Sequence, residues 1–460
     1  MAADSTDTDR DADRATLHVR LRGPERLHAH AAWALEALLA RARVVDWKLV
    51  DARDVQHAVD LEWGGSGSPT AVDLPADETA WEFTADAAPD STRDPLAFTF
   101  WWLARVEEQL SPSSSFDEHG RFRADRSAMV RSGDPLSTPV DDLAAELAIR
   151  LARWRASPPK EHPQWRVVAT HDIDLPVRWT RSGRRRAARR VRDELRAGRI
   201  GAALRTAGSL AISPITARSS DPWDNLDRIT RLEAELGARS TSYVLVGRHA
   251  PEDGDAELHA AGVGYVRTIA DDRIGLHGSY TSSDAHGRLD HEIERLRERT
   301  GARPVDHRFH YLRHRPVDAW PLLDLLEMRS DCSLGFAEQP GFRAGTAHPF
   351  RAWNHAGGEP LKLVVIPLAV MDASFDARYL GQPRAERLAT IRRVLGRVRD
   401  VGGSASLLIH NDRLCNVDDD GWTSQYRSIL RAIRAHDGVA CTAGAAADAY
   451  RALLPPGRIG

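Results

Sequence analysis

The run Val167-Val168-Ala169-Thr170 leads straight into His171, Asp172 and Asp174, and Pro176 then limits further extension. Strand alternation places Thr170, Asp172 and, if the chain stays extended, Asp174 on one side. Two carboxylates crowded there repel unless a cation or a proton lies between them. Such a pair suits a metal centre, while the plainer alternative is a turn in which one Asp caps a following helix. Other reactive side chains fall at comparable places. His277, Arg308, His310, Asp372 and His410 all lie at or just beyond the carboxyl ends of apolar runs. A single histidine so placed is ordinary, but acid, base and imidazole recurring on five strand ends point to one shared site.

The elements that must position these residues alternate along the second part of the chain. Strand-like runs at 167–170, 242–246, 274–277, 305–310, 330–334, 363–368 and 406–410 are separated by amphipathic helical patterns at 223–236, 289–299, 317–328, 385–398 and 425–435. Alternation of this kind implies parallel strands with right-handed crossovers. Seven units favour a closed barrel, whose carboxyl-end rim is where active sites are built. A shorter run at 439–441 is expected to pair last. Residues 16–156 read as an α+β accessory domain, with strands at 16–21, 44–50 and 59–63, helices at 31–42, 96–110 and 140–154, and a loop at 64–69. No chemical constellation is evident in it. Residues 1–15 read as a disordered lead-in, 157–160 as a linker, and 160–456 as the barrel.

Composition narrows the class. A chain of 460 residues is long enough for two domains. With 63 basic and 66 acidic residues it is nearly neutral, which argues against a nucleic-acid binder. No apolar stretch is long enough for a transmembrane segment. The polar N-terminus has no leader character, so a cytoplasmic protein is expected. Cys332, Cys415 and Cys441 show neither a disulfide framework nor zinc-type spacing.

Taken together, the motifs resemble those of the polysaccharide deacetylase superfamily (carbohydrate esterase family 4), in its bacterial branch with an N-terminal accessory domain. The likeness rests on Thr170-His171-Asp172-Ile173-Asp174, on Gly275-Leu276-His277-Gly278-Ser279-Tyr280, and on Arg308-Phe309-His310-Tyr311. It continues through Asp331-Cys332-Ser333, Gly341-Phe342-Arg343 and Leu408-Ile409-His410-Asn411, in order, over residues 160–455. Phe116-Asp117-Glu118-His119-Gly120-Arg121-Phe122 resembles the accessory domain of that branch. The resemblance implies a distorted seven-stranded (β/α) barrel that removes N- or O-acetyl groups from sugars with one divalent metal ion, commonly zinc. Asp172 would then be the base, His410 the acid, Arg308 the partner of the base, and Asp174 and His277 metal ligands.

Two departures stand out. Ile173 separates Asp172 from Asp174, where the family has adjacent aspartates, so which is base and which is ligand stays open. Thr281 stands where a second histidine would follow His277. A catalytic zinc normally takes three protein ligands. His310 is therefore the expected third, the alternative being a pocket-lining or ordinary buried histidine. Tyr280, Tyr311, His348 and Asp372 are expected to contact substrate. The basic run 181–199 is either a solvated helix face or an attractor for an anionic, for example phosphate-linked, carbohydrate or an anionic membrane surface. The expected activity is metal-dependent deacetylation of an N-acetylated (less readily O-acetylated) sugar. The rivals are an amidohydrolase acting on a non-carbohydrate amide and an inactive glycan-binding homologue.

Overall fold

The computed structural model describes residues 16–51, 59–65, 71–154, 164–198, 200–212, 221–247, 249–254, 273–284, 286–415 and 420–455. The expected lead-in, the linker and most of the 64–69 loop lie outside them.

The first region builds a four-stranded sheet from β1 (Leu17–Leu21), β2 (Trp47–Leu49), β3 (Leu61–Trp63) and β4 (Val72–Leu74), ordered β2-β1-β3-β4 and parallel throughout. The helices His28–Arg41, Pro95–Leu103 and Pro139–Trp154 accompany it. Asp94 starts the second of these by accepting the Leu96 and Ala97 N–H groups, 3.0 Å each, ahead of Pro95. The helix expected over 96–110 breaks at Arg105, whose φ is 56°. That turn sends the buried Arg105 guanidinium to the Arg343 carbonyl (2.6 Å) and to Glu108 (2.8 Å).

The second sheet carries the site. Its strands are β5 (Arg166–Ile173), β6 (Thr241–Leu245), β7 (Ile274–Gly278), β8 (Asp306–Phe309), β9 (Ser330–Asp331), β10 (Phe350–Asn354), β11 (Glu359–Val365), β12 (Leu368–Met371), β13 (Ser404–Leu408) and β14 (Val439–Cys441). The order is β10-β11-β9-β8-β7-β6-β5-β13-β12, and β14 pairs with the amino-terminal half of β5. The ring closes at Pro367. Ile366 donates to the Asp331 carbonyl (2.9 Å), Leu368 to Leu334 (2.9 Å), and Ser406 to Pro367 (2.7 Å). The chain from β11 to β12 is thus one bent strand that meets β9 and then β13, giving the seven-membered barrel that the sequence implied. The antiparallel β10–β11 hairpin was not expected from the sequence.

Alternation along β5 sorts its side chains. Val168 joins Tyr243, Cys332, Val364 and Ile366 in an apolar layer within the barrel, while Val167 packs outside with Ile229 and Val394. His171 also faces outward, bonded to the Ile409 carbonyl (2.7 Å) and Glu233 (3.0 Å), and has a structural place only. The helix Ala443–Arg451 adds Ala446, Ala447 and Tyr450 to the inner layer and seals the amino-terminal end. One apolar core runs from the first sheet into the barrel, where Trp33 and Phe100 meet Trp353 at ring separations of 5.3 Å.

Candidate metal centre

Above the apolar layer the barrel turns polar. Asp174 lies just past the end of β5, His277 on β7, and His310 just past β8. One donor atom from each lies within 4.8 Å of the others. His277 Nε2 is 3.2 Å from Asp174 Oδ1, and His310 Nε2 is 3.6 Å from Oδ2. The far nitrogens are already engaged. His277 Nδ1 faces the Arg308 carbonyl at 2.9 Å, and His310 Nδ1 faces Asp253 Oδ1 at 3.1 Å. A histidine tied in this way through Nδ1 presents Nε2 as a lone pair, the usual outer-sphere arrangement of a metal-binding imidazole. Asp174 Oδ1 is buried without a hydrogen-bond donor among the described residues. A carboxylate oxygen in that condition beside two lone pairs fits a cation. Thr281 takes no part, for Arg288 donates to both its hydroxyl and its carbonyl.

Asp172 and His410 flank this group. Arg308, fully buried on β8, donates to Asp172 Oδ1 (2.8 Å), Thr170 Oγ1 (2.9 Å), Ser406 Oγ (3.0 Å) and the Cys332 carbonyl (3.0 Å). Its guanidinium also lies over the Tyr243 ring at 4.6 Å. Asp172 Oδ2 is 3.5 Å from His277 Nε2. On the opposite side of β5, His410 follows β13 with Nε2 3.7 Å from Asp174 Oδ2. Burial alone would lower its pKa, but the Asp372 carboxylate, aided by Asp174 and Asp172, raises it to about 10.

Asp372 is therefore not a substrate contact. It is fully buried and accepts His410 Nδ1 (2.6 Å), the His410 N–H (2.9 Å) and the Ala373 N–H (2.8 Å), which leaves no exposed oxygen for a sugar hydroxyl. His348 is not brought to the site either. It follows Ala347, whose carbonyl accepts from Ser404 at the start of β13, and its own Nε2 meets the Val401 carbonyl at 3.0 Å. That is the far end of the barrel. Tyr311 does line the cavity, a space of about 160 Å³ shared with Asp172, Asp174, His277, His310 and His410. Tyr280 stands behind it, ring to ring at 5.4 Å. Tyr311 and Leu312, both lining the cavity, adopt left-handed backbone (φ 62° and 56°), a strain of about 1–3 kcal/mol per residue.

Three contributors escaped the sequence reading. Asp253, eight residues beyond β6, supports His310 and accepts the Tyr280 N–H at 2.7 Å. Tyr379 lines the cavity from the segment after Asp372. Arg121 enters it from the accessory region, held by Asp117 (2.7 Å) and donating to the Tyr379 hydroxyl (3.2 Å) and the Tyr311 carbonyl (3.3 Å). Its neighbour His119 meets the Tyr280 hydroxyl at 2.9 Å. The only sequence signal for either was the 116–122 motif.

No protein-family model matches the chain, and no curated protein matches it. Among solved structures it is similar to a Mycobacterium smegmatis protein provisionally described as a polysaccharide deacetylase. That pair shares 19% identity over 65% of this chain and 94% of the other, with a TM-score of 0.43. It is also similar to the allantoinase PuuE, at 16% identity over 50% of this chain and 72% of the other, with a TM-score of 0.36.

Proposed function

We propose that this protein is a metal-dependent hydrolase that removes acetyl groups, chiefly N-acetyl, from a carbohydrate. One observation carries the reading: a carboxylate and two histidines from three strand ends converge, flanked by a carboxylate paired to a buried arginine and a histidine paired to a buried aspartate. Asp174, His277 and His310 would hold one divalent ion; zinc is the ion proposed, because two imidazoles and a carboxylate make a catalytic zinc donor set and the hydrolysis needs no redox change. Such an ion supplies Lewis acidity, polarising a carbonyl oxygen and making water more acidic. Arg308 pairs with Asp172 Oδ1 at 2.8 Å and fixes its orientation, so Asp172 can accept the proton of an attacking water. Asp372 keeps His410 protonated near neutral pH, with Nε2 directed into the cavity, where it can donate a proton to the departing amine. Tyr311 and Tyr379 line the same cavity and would meet the sugar that carries the acyl group.

The test is acetate release from N-acetylhexosamine oligomers, with and without chelator, alongside metal analysis of the purified protein. Chelator-sensitive release that returns with zinc is expected. Bound metal without acetate release would move the substrate to a non-carbohydrate amide. Absence of bound metal from active protein would end the hydrolase proposal in this form.

A further inference from the structure

Between Asp174 and β6 the chain leaves the barrel rim as a pair of helices, Arg181–Arg196 and Ile200–Ile212, packed on each other. Their root is fastened by one buried carboxylate. Asp221 accepts the N–H groups of Arg178 (2.9 Å), Trp179 (2.9 Å) and Trp223 (3.0 Å). The Arg178 guanidinium lies over the Trp179 and Trp223 rings at 4.7 and 5.8 Å. Asn411, next to His410, donates to the Leu175 (3.0 Å) and Trp223 (3.1 Å) carbonyls. The helical hairpin is thus tied to the same end of the barrel as the candidate metal centre.

Its two arms differ in character. The first presents seven exposed arginines between positions 184 and 196 against two acids, Asp193 and Glu194. The second has no acidic residue, and its helical period sets Ile200, Leu204 and Ala211 along one exposed stripe. The buried side chains of the arms are small, Ala187, Ala203 and Thr206, while Leu195, Ile200 and Leu204 are left outside. Leu195, Ile200 and Leu204 are 54%, 62% and 66% exposed, three of the four most exposed large apolar side chains among the described residues, within ten positions. A lone exposed leucine needs no explanation. A cluster of three beside a strongly basic face marks an interaction surface.

We propose that this helical hairpin docks on a bilayer containing anionic lipid, with the arginines among the headgroups and Leu195, Ile200 and Leu204 at the acyl boundary. Charge complementarity selects an anionic surface, and the aliphatic cluster selects one with an apolar layer beneath its charge. A nucleic acid would engage the arginines and leave the aliphatic side chains in water. The inference rests on the hairpin alone and does not depend on the chemistry proposed for the cavity.

Sedimentation of the full chain with vesicles tests it. Binding is expected to phosphatidylcholine vesicles containing phosphatidylglycerol, not to phosphatidylcholine alone, and to weaken with salt. Each basic residue near such a surface is worth about a fivefold change in affinity, so R184Q/R185Q/R189Q is expected to bind about 100-fold more weakly. L195S/I200S/L204S, with every arginine kept, is expected to lose at least about tenfold, since each buried methylene counts. Circular dichroism and unfolding midpoints matching the parent show that both variants are folded. Failure of the parent to bind phosphatidylglycerol vesicles at low salt would overturn the proposal. So would a serine variant that binds as tightly as the parent, or a parent that binds a DNA duplex and ignores the vesicles.

Discussion

At the scale of single residues, burial decides what each side chain can do. Asp372 and Asp174 both follow strands, yet Asp372 is enclosed and serves His410, whereas Asp174 keeps a buried oxygen without a donor. The sign of the resulting pH dependence follows. His410 is raised to about 10 by Asp372, so it stays protonated at neutral pH and loses its proton only as pH rises through that range. D372N removes the neighbouring charge and lowers the His410 pKa. The alkaline limb of kcat/KM is therefore expected to move to lower pH, with a tenfold or greater loss of rate at the upper end. An unmoved alkaline limb would show that His410 is not the acid. The sequence displayed Asp172, Asp174, His277, Arg308, His310 and His410 because each follows an apolar run. It could not show that Asp372 faces His410 rather than solvent, since that depends on the neighbouring strand. Nor could it place His348, whose loop precedes an antiparallel hairpin and lies at the opposite end of the barrel.

Among the elements, the break at Arg105 matters most for how the first region meets the barrel. Glu108 sits between Arg343 (2.6 Å) and Arg105 (2.8 Å), all three buried. Burial raises the Glu108 pKa, but Arg343 and Arg105 outweigh it and bring it down from 4.5 to about 2. A depressed carboxylate stabilises the fold above its unfolded pKa and ceases to do so as pH falls through the folded one. Breaking such a buried network by removing one partner typically costs about 3–5 kcal/mol. E108Q is thus expected to lose about that much at pH 7 in urea unfolding, with the gap to the parent narrowing between about pH 4.5 and about pH 2. A gap independent of pH would contradict the ion network. Most helices and strands were legible from periodicity. The 96–110 helix was misread as continuous because its apolar pattern runs through Arg105, and only a partner 238 residues away explains the turn. Arg121 was hidden for the same reason, since its partners Tyr311 and Tyr379 lie 190 and 258 residues further on.

For the molecule as a whole, function and fold meet in the closure of the ring. The strands β5, β7, β8, β12 and β13 each end in a residue of the site, and their parallel register brings those ends to one rim. The accessory region completes the cavity wall through Arg121 and shares its apolar core with the barrel, so the site belongs to the entire chain. Seven strands were countable in the sequence, but the bend at Pro367 that joins two sheet partners into one strand was not. The most direct test is anomalous diffraction from crystals grown with zinc. One peak is expected at coordination distance, about 2.0–2.2 Å, from Asp174, His277 Nε2 and His310 Nε2 together. A peak placed elsewhere, or one that His310 does not reach, would contradict the three-residue centre on which the account stands.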